Sequence, residues 1–144
     1  SGMKVVVITN QSGIGRGLFD EVFVGAVHAE MSRMLGEAGA AIDGFYFCPH
    51  HPTEGNGRYR RACSCRKPAP GLLLQAAAEL TIDLSHSYMI GDMPKDVEAG
   101  QRAGAKGILV RTGYGGNVEL GAVIPDYIAT DILAAVRWIL TREQ

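Results

Sequence analysis

Val5, Val6, Val7, Ile8 and Thr9 form an unbroken β-branched run that empties into Asn-Gln-Ser-Gly-Ile-Gly-Arg-Gly, Asn10 to Gly17. An extended segment with no polar alternation has no side to offer to water, so Val5–Thr9 reads as a fully buried strand of a parallel sheet covered on both faces. A parallel strand needs a long crossover before its neighbour, and helices are the usual crossover. This one run therefore demands an alternating α/β chain, and the polar, glycine-rich segment after it falls where ligands of such folds bind, beyond the carboxyl ends of the strands.

The rest of the chain meets that demand. From about Asp20 to Gly36, Val22, Phe23, Ala26, Val27, Met31, Met34 and Leu35 mark the apolar stripe of an amphipathic helix ended by glycines. Phe45–Phe47 is a short strand, and Pro70-Gly71 opens a helix over Leu72–Leu80 with proline where a missing N–H costs least. Ser87–Ile90 (strand), Pro94–Ala103 (helix), Gly107–Val110 (strand), Tyr127–Ala129 (strand) and Ile132–Leu140 (helix) complete the alternation. The expectation is a Rossmann-like α/β three-layer sandwich with a mostly parallel sheet. All 144 residues form one domain, large enough for its own core. A net charge of −1 gives no electrostatic case for nucleic acid or a membrane surface as partner. No apolar run approaches the ~20 residues of a membrane span and no signal-peptide pattern is present, so a cytoplasmic location is expected.

The stretch from Cys48 to Lys67 breaks the pattern: it is polar, rich in Arg and Gly, and too long for an ordinary connection. It holds all three cysteines of the chain, an odd number that argues against a disulfide framework. Cys48 and His50, then twelve residues, then Cys63 and Cys65, give two ligand pairs of matching spacing that can close a tetrahedral site of three thiolates and one imidazole. A closed set leaves no open position, so the zinc is expected to be structural, an inserted clip over 48–67. His51 is the rival ligand, and reduced thiols beside a surface histidine are the bland alternative. His28 and His86 read as ordinary helix and loop histidines. The clip would aim Arg66 and Lys67 at a fixed point, although most such basic pairs are simply solvated.

Three features suit an anion. Thr9, Asn10, Gln11 and Ser12 end the first strand with hydroxyl, amide and backbone N–H donors. Lys67 offers a point charge and Arg66 a planar fork. Asp92, ending Met89-Ile90-Gly91-Asp92, could hold a hard cation such as Mg²⁺. Each has a plainer reading: an ordinary turn, solvated charges, and a cap for the helix from Pro94. Asp96 reads as a cap or first-turn residue, and Arg111-Thr112-Gly113 as a turn. Together the three suit magnesium-assisted phosphoryl transfer.

The strings VVVITNQSGIGRG, CPHHP, CSCRKPAPG and YMIGDMPKD, in that order between Met3 and about Gly113, resemble the haloacid-dehalogenase-like phosphatases, and among them the zinc-containing branch that acts on heptose bisphosphates. The resemblance implies Mg²⁺-dependent removal of one phosphate from a heptose bisphosphate, with catalytic magnesium, structural zinc and a sugar bisphosphate as partner. Carried across, Thr9 and Lys67 would stabilise the transferring phosphoryl group. Asn10, Gln11 and Ser12 would touch substrate, Arg66 would recognise it, Asp92 would hold Mg²⁺, and Cys48, His50, Cys63 and Cys65 match the zinc ligands. The related histidinol-phosphate phosphatases share the clip and the Arg-Lys-Pro, and remain the alternative substrate class.

One element of the family pattern is missing. Its members place a nucleophilic and an acid/base aspartate on a D-x-D strand, and no D-x-D pair occurs anywhere in this chain. Phosphate monoesters are hydrolysed so slowly that enzymes supply up to ~10²¹-fold acceleration, and without a nucleophile nearly all of it is lost. In the family fold that strand lies between those carrying Thr9 and Asp92. Either the chain is a piece of a longer product or a partner chain donates a strand. A catalytically silent, zinc-stapled phosphosugar-binding domain is the alternative to an enzyme, and Met93 departs from the polar residue often found at its position.

Overall fold

A computed structural model describes residues 2–143. The chain divides into two compact units, one over residues 2–66 and one from Lys67 onward. In the first, β1 (Val6–Asn10), α1 (Glu21–Glu37) and β2 (Gly44–Cys48) follow in order. In the second come α2 (Gly71–Leu80), β3 (Tyr88–Gly91), α3 (Pro94–Ala103), β4 (Lys106–Val110), β5 (Tyr127–Ala129) and α4 (Ile132–Leu140), with short 3-10 turns at Leu84–His86 and Gly113–Gly116. A further 3-10 turn, Gly57–Tyr59, lies in the long loop of the first unit. Every pairing between these strands is parallel, β1 with β2 and then β3-β4-β5, as the α/β reading requires.

The first unit is held by the register Val6 to Gly44 through Asn10 to Cys48, which sets the ends of both strands side by side. Asp20 caps α1 by accepting a hydrogen bond from Phe23 N at 2.8 Å, worth about 1 kcal/mol. Two expectations need correction here. The β1 run is half-buried along its whole length rather than fully buried, because β1 has one strand neighbour and is an edge strand. The α1 stripe does not face a core: Val22, Phe23, Val27, Met31 and Met34 are exposed, and the residue α1 buries is Val24. The inward face is instead Val24, His28 and Leu35, where His28 stacks on Phe45 with ring centroids 4.4 Å apart. Phe and Val at i and i+4 define a stripe, and a stripe by itself does not say what covers it.

The second unit has the denser core. Ile108, Val110, Ala129, Ala135 and Ile139 form a buried cluster, with Tyr88, Ile90, Tyr127, Ala134 and Trp138 packed on it. Trp138 stacks on Tyr127 with centroids 4.3 Å apart and meets Tyr88 edge-on at 6.2 Å. Val97 and Ala99 of α3 are fully buried, as is Leu109. Here β4 is the central strand and β3 an edge, which is why β4 is buried along four of its five positions and β3 is half-buried throughout. No helix among the described residues is long and apolar enough to cross a membrane.

Ile108 is 0% exposed at the middle of β4. Ile108→Ala is expected to cost about 2–5 kcal/mol through lost transfer energy and a cavity. Leu18→Ala, at a residue 70% exposed, should stay within about 0.5 kcal/mol. Urea midpoints at unchanged slope measure both.

Candidate functional site

Cys48 ends β2 and is fully buried, so the first ligand of the loop is placed by the strand itself. Its Sγ lies 3.5 Å from Cys63 Sγ, 3.1 Å from Cys65 Sγ and 3.6 Å from His50 Nδ1. Cys65 Sγ lies 3.3 Å from both Cys63 Sγ and His50 Nδ1. All four ligand atoms fall within 4.8 Å of one another. That is the size of a shell around one tetrahedral ion at ~2.3 Å from sulfur and ~2.0–2.1 Å from nitrogen, and the three-thiolate, one-imidazole set suits Zn²⁺. The cysteines form no disulfide. His51 is not a fourth-ligand rival: its Nδ1 accepts hydrogen bonds from Glu54 N at 2.9 Å and Thr53 N at 3.3 Å, closing the turn after the ligand pair. Burial pushes the Cys48 thiol well above its ordinary range, with the Cys65 sulfur adding to it, and burial together with the Arg61 charge lowers His50. A cation that binds here meets a neutral imidazole and must displace the Cys48 proton.

The same unit carries the donors at the end of β1. Gln11 N donates to Cys48 O at 2.7 Å, and Gln11 Nε2 donates to Thr9 Oγ1 at 3.0 Å. Ile14 N donates to Gln11 O and Arg16 N to Ser12 O, so residues 11–16 are a wound loop with Gly13, Ile14 and Gly15 buried beneath it. Thr9, Asn10, Gln11 and Ser12 are half-buried. Arg66 Nη1 donates to His50 O at 3.2 Å, so the guanidinium is tied to the backbone of a metal ligand.

In the second unit, Lys67 departs from the solvated-pair reading. It is 9% exposed, and its Nζ lies 2.7 Å from Oδ1 of Asp96, itself 5% exposed. Asp96 Oδ2 accepts from Met93 N at 3.0 Å, so the cap reading of Asp96 holds and is half of what it does. The close approach needs Gly91, since a Cβ there would collide with the Asp96 side chain. Asp92 does not cap α3, whose N-cap is Met93; its Oδ2 accepts from Tyr114 N at 2.9 Å. A cavity of about 330 Å³ opens at Asp92, lined also by Ile90, Gly91, Val110, Thr112, Gly113 and Ile132. Asp96 and Thr112 are thus the residues that spacing alone did not select. Thr112-Gly113, read as a turn, lines the cavity beside the carboxylate.

Asp96→Asn should break a buried ion pair by removing the carboxylate charge beside the Lys67 ammonium, at a cost of about 3–5 kcal/mol. Asp92→Asn, which breaks no ion pair, should cost far less, and equal denaturant midpoints for the two variants would contradict this account.

The chain is similar to known proteins over most of its length. The HAD-hydrolase-like family model matches residues 64–136. D-glycero-beta-D-manno-heptose-1,7-bisphosphate 7-phosphatase of Photorhabdus laumondii is 47% identical over 120 residues, 82% of this chain and 63% of its own length. The enzyme of the same name from Yersinia pestis is 43% identical over 133 residues, 91% of this chain and 70% of its length. The crystal structure of D,D-heptose 1,7-bisphosphate phosphatase from B. bronchiseptica, complexed with magnesium and phosphate, superposes with a TM-score of 0.83 at 35% identity, covering 96% of this chain and 75% of that one. The chain spans between 59% and 72% of the length of such curated relatives. With the model match, these identities and the parallel strands in hand, the chain belongs to the haloacid-dehalogenase-like hydrolases.

Proposed function

We propose that the 144 residues make up most of a single magnesium-dependent phosphatase domain. Its reaction removes the 7-phosphate of D-glycero-D-manno-heptose 1,7-bisphosphate during synthesis of heptose for bacterial surface polysaccharide. The observation that carries this reading is the Cys48-His50-Cys63-Cys65 cluster followed at once by Arg66 and Lys67, in a chain 47% identical to a relative of that activity.

Each residue has a chemical task in this reading. Zn²⁺ in the clip is structural, since four protein ligands leave no position for substrate. Thr9 Oγ1, which accepts the Gln11 amide, keeps its own proton to donate to a phosphoryl oxygen. Asn10, Gln11 and Ser12 supply further donors to the substrate. Arg66 offers the unused arms of its fork to a phosphate or a sugar hydroxyl. Lys67 is positioned by Asp96 and stabilises negative charge on the phosphoryl group. Asp92 fits a hard cation: Tyr114 N occupies Oδ2, and Oδ1 has no hydrogen-bond donor among the described residues. When bound, magnesium supplies charge neutralisation on the transferred phosphoryl oxygens.

These residues bind, orient and balance charge, and none is an activated nucleophile. In this reading the attacking carboxylate would come from a D-x-D strand outside these 144 residues, since none occurs within them, whether from a longer product or a partner chain.

Calorimetric titration of the zinc-loaded protein with inorganic phosphate tests the binding half. Magnesium should strengthen phosphate binding at least tenfold, and Asp92→Asn should abolish that gain; phosphate binding indifferent to magnesium would refute the site. An assay of the same chain with magnesium and either heptose bisphosphate or histidinol phosphate should release no phosphate above background. Turnover of the first would show that the nucleophile lies within these residues, and turnover of the second alone would reassign the substrate.

A further inference from the structure

The metal loop and the β1–α1 loop are sewn together along their length, within residues 2–66. Gln11 N donates to Cys48 O at 2.7 Å, and Asn56 N donates to Gly15 O at 3.0 Å. Arg16 Nη1 lies 3.5 Å from Glu54 Oε2, and Tyr59 Oη donates to Glu21 Oε1 at 2.9 Å. Between these stitches the backbones touch. A Cβ on Gly15 would stand 2.9 Å from Tyr59 Cβ and 3.1 Å from Pro49 O. Gly55 has φ +85, and a Cβ on it would stand 2.6 Å from the Gly15 carbonyl carbon and collide with its oxygen. The metal loop is pinned by its ligands at both ends, and the segment it grips runs on through the Arg16 N to Ser12 O bond into the Thr9–Ser12 donors.

We propose that Gly55 is a positioning residue for the Thr9–Ser12 anion loop. It lets the two backbones meet, and through that seam the occupied metal clip sets the order of a loop that contains none of its ligands. The positioning role rests on the anion-binding reading of Thr9–Ser12 given above; the coupling itself does not. Two physical demands coincide at Gly55, a left-handed φ and a close approach, and they can be separated. Asparagine tolerates left-handed φ but brings a Cβ, so it relieves the first and not the second. Gly57 is the control: its φ is +60, yet nothing lies within 4 Å of where its Cβ would be.

Amide hydrogen exchange by NMR on the isotopically labelled, zinc-loaded protein tests this, with inorganic phosphate as the probe ligand. Stripping zinc with a chelator should cut protection of the Asn56 and Arg16 amides at least tenfold while Ile108 in the second unit keeps its own. Gly55→Ala and Gly55→Asn should behave like the stripped protein while still binding one zinc per chain, and should lose the phosphate-induced shifts of the Gln11 and Ser12 amides. Gly57→Asn should match the unaltered protein. Unchanged protection on stripping, or full protection in Gly55→Asn, overturns the proposal. If the Gly55 variants do not fold, the stripping experiment decides on the same terms. Should phosphate shift no amide of the unaltered protein while exchange follows the expected pattern, the anion-loop reading falls and the coupling stands.

Discussion

Three sulfurs and an imidazole nitrogen gathered within 4.8 Å make a donor set that suits one tetrahedral cation. The loop that carries them has little else to order it. Between His50 and Cys63 the chain buries no side chain fully, and its regular structure is one 3-10 turn, Gly57–Tyr59, and an isolated bridge of His51 with Arg60. Ordering a dozen such residues costs about 1–2 kcal/mol each in backbone entropy, with almost no apolar burial to offset it. Structural zinc in comparable peptides contributes about 10–16 kcal/mol, the right scale for the task. Everything the loop touches then inherits its order: Arg66 through His50 O, and the β1–α1 loop through Gly15 and Gln11.

The second unit solves a different problem. Its core holds β4 and the aromatic face of α4 without a staple, and the unit also buries a charged pair, Lys67 and Asp96. Lys67 is 9% exposed with a carboxylate oxygen 2.7 Å away, and that carboxylate is held in place because its other oxygen accepts from Met93 N. The pair does not add stability over an apolar pair of the same size. What it does is fix a positive charge in a chain whose net charge is only −1.

The strands and helices were legible because β-branched runs and helical stripes are local signals: α3, β5 and α4 lie where the pattern puts them, and the others shift by a residue or so. The Cys48-His50-Cys63-Cys65 cluster was legible because ligand spacing is local too. What could not be read was partnership. Whether Val6–Asn10 has one strand neighbour or two is decided by residues far off in sequence, so its burial was overestimated. The α1 stripe marks the helix and not its buried side, since Val24, outside the stripe, is the residue buried. Asp96 was legible as a cap and not as the partner of Lys67, because 29 positions separate them and only folding brings them together. His51 could be set aside as a ligand only once its ring was seen closing the Thr53–Glu54 turn.

Arg66 and Lys67 are adjacent in sequence, and they are held by unrelated means. Arg66 leans on the carbonyl of a metal ligand, a neutral acceptor whose place depends on the ion. Lys67 leans on a buried carboxylate whose place depends on helix α3 and on the absence of a side chain at Gly91. The first attachment is cheap to break, about 0.5–1.5 kcal/mol for such a hydrogen bond to a neutral acceptor and about twice that when the donor is charged. The second is costly, since both charges of the pair are withdrawn from water. Of the two neighbouring cations, one therefore answers to metal occupancy and one does not. Loss of zinc should loosen the Arg66 guanidinium, tied to His50 O, before it touches the Lys67–Asp96 pair.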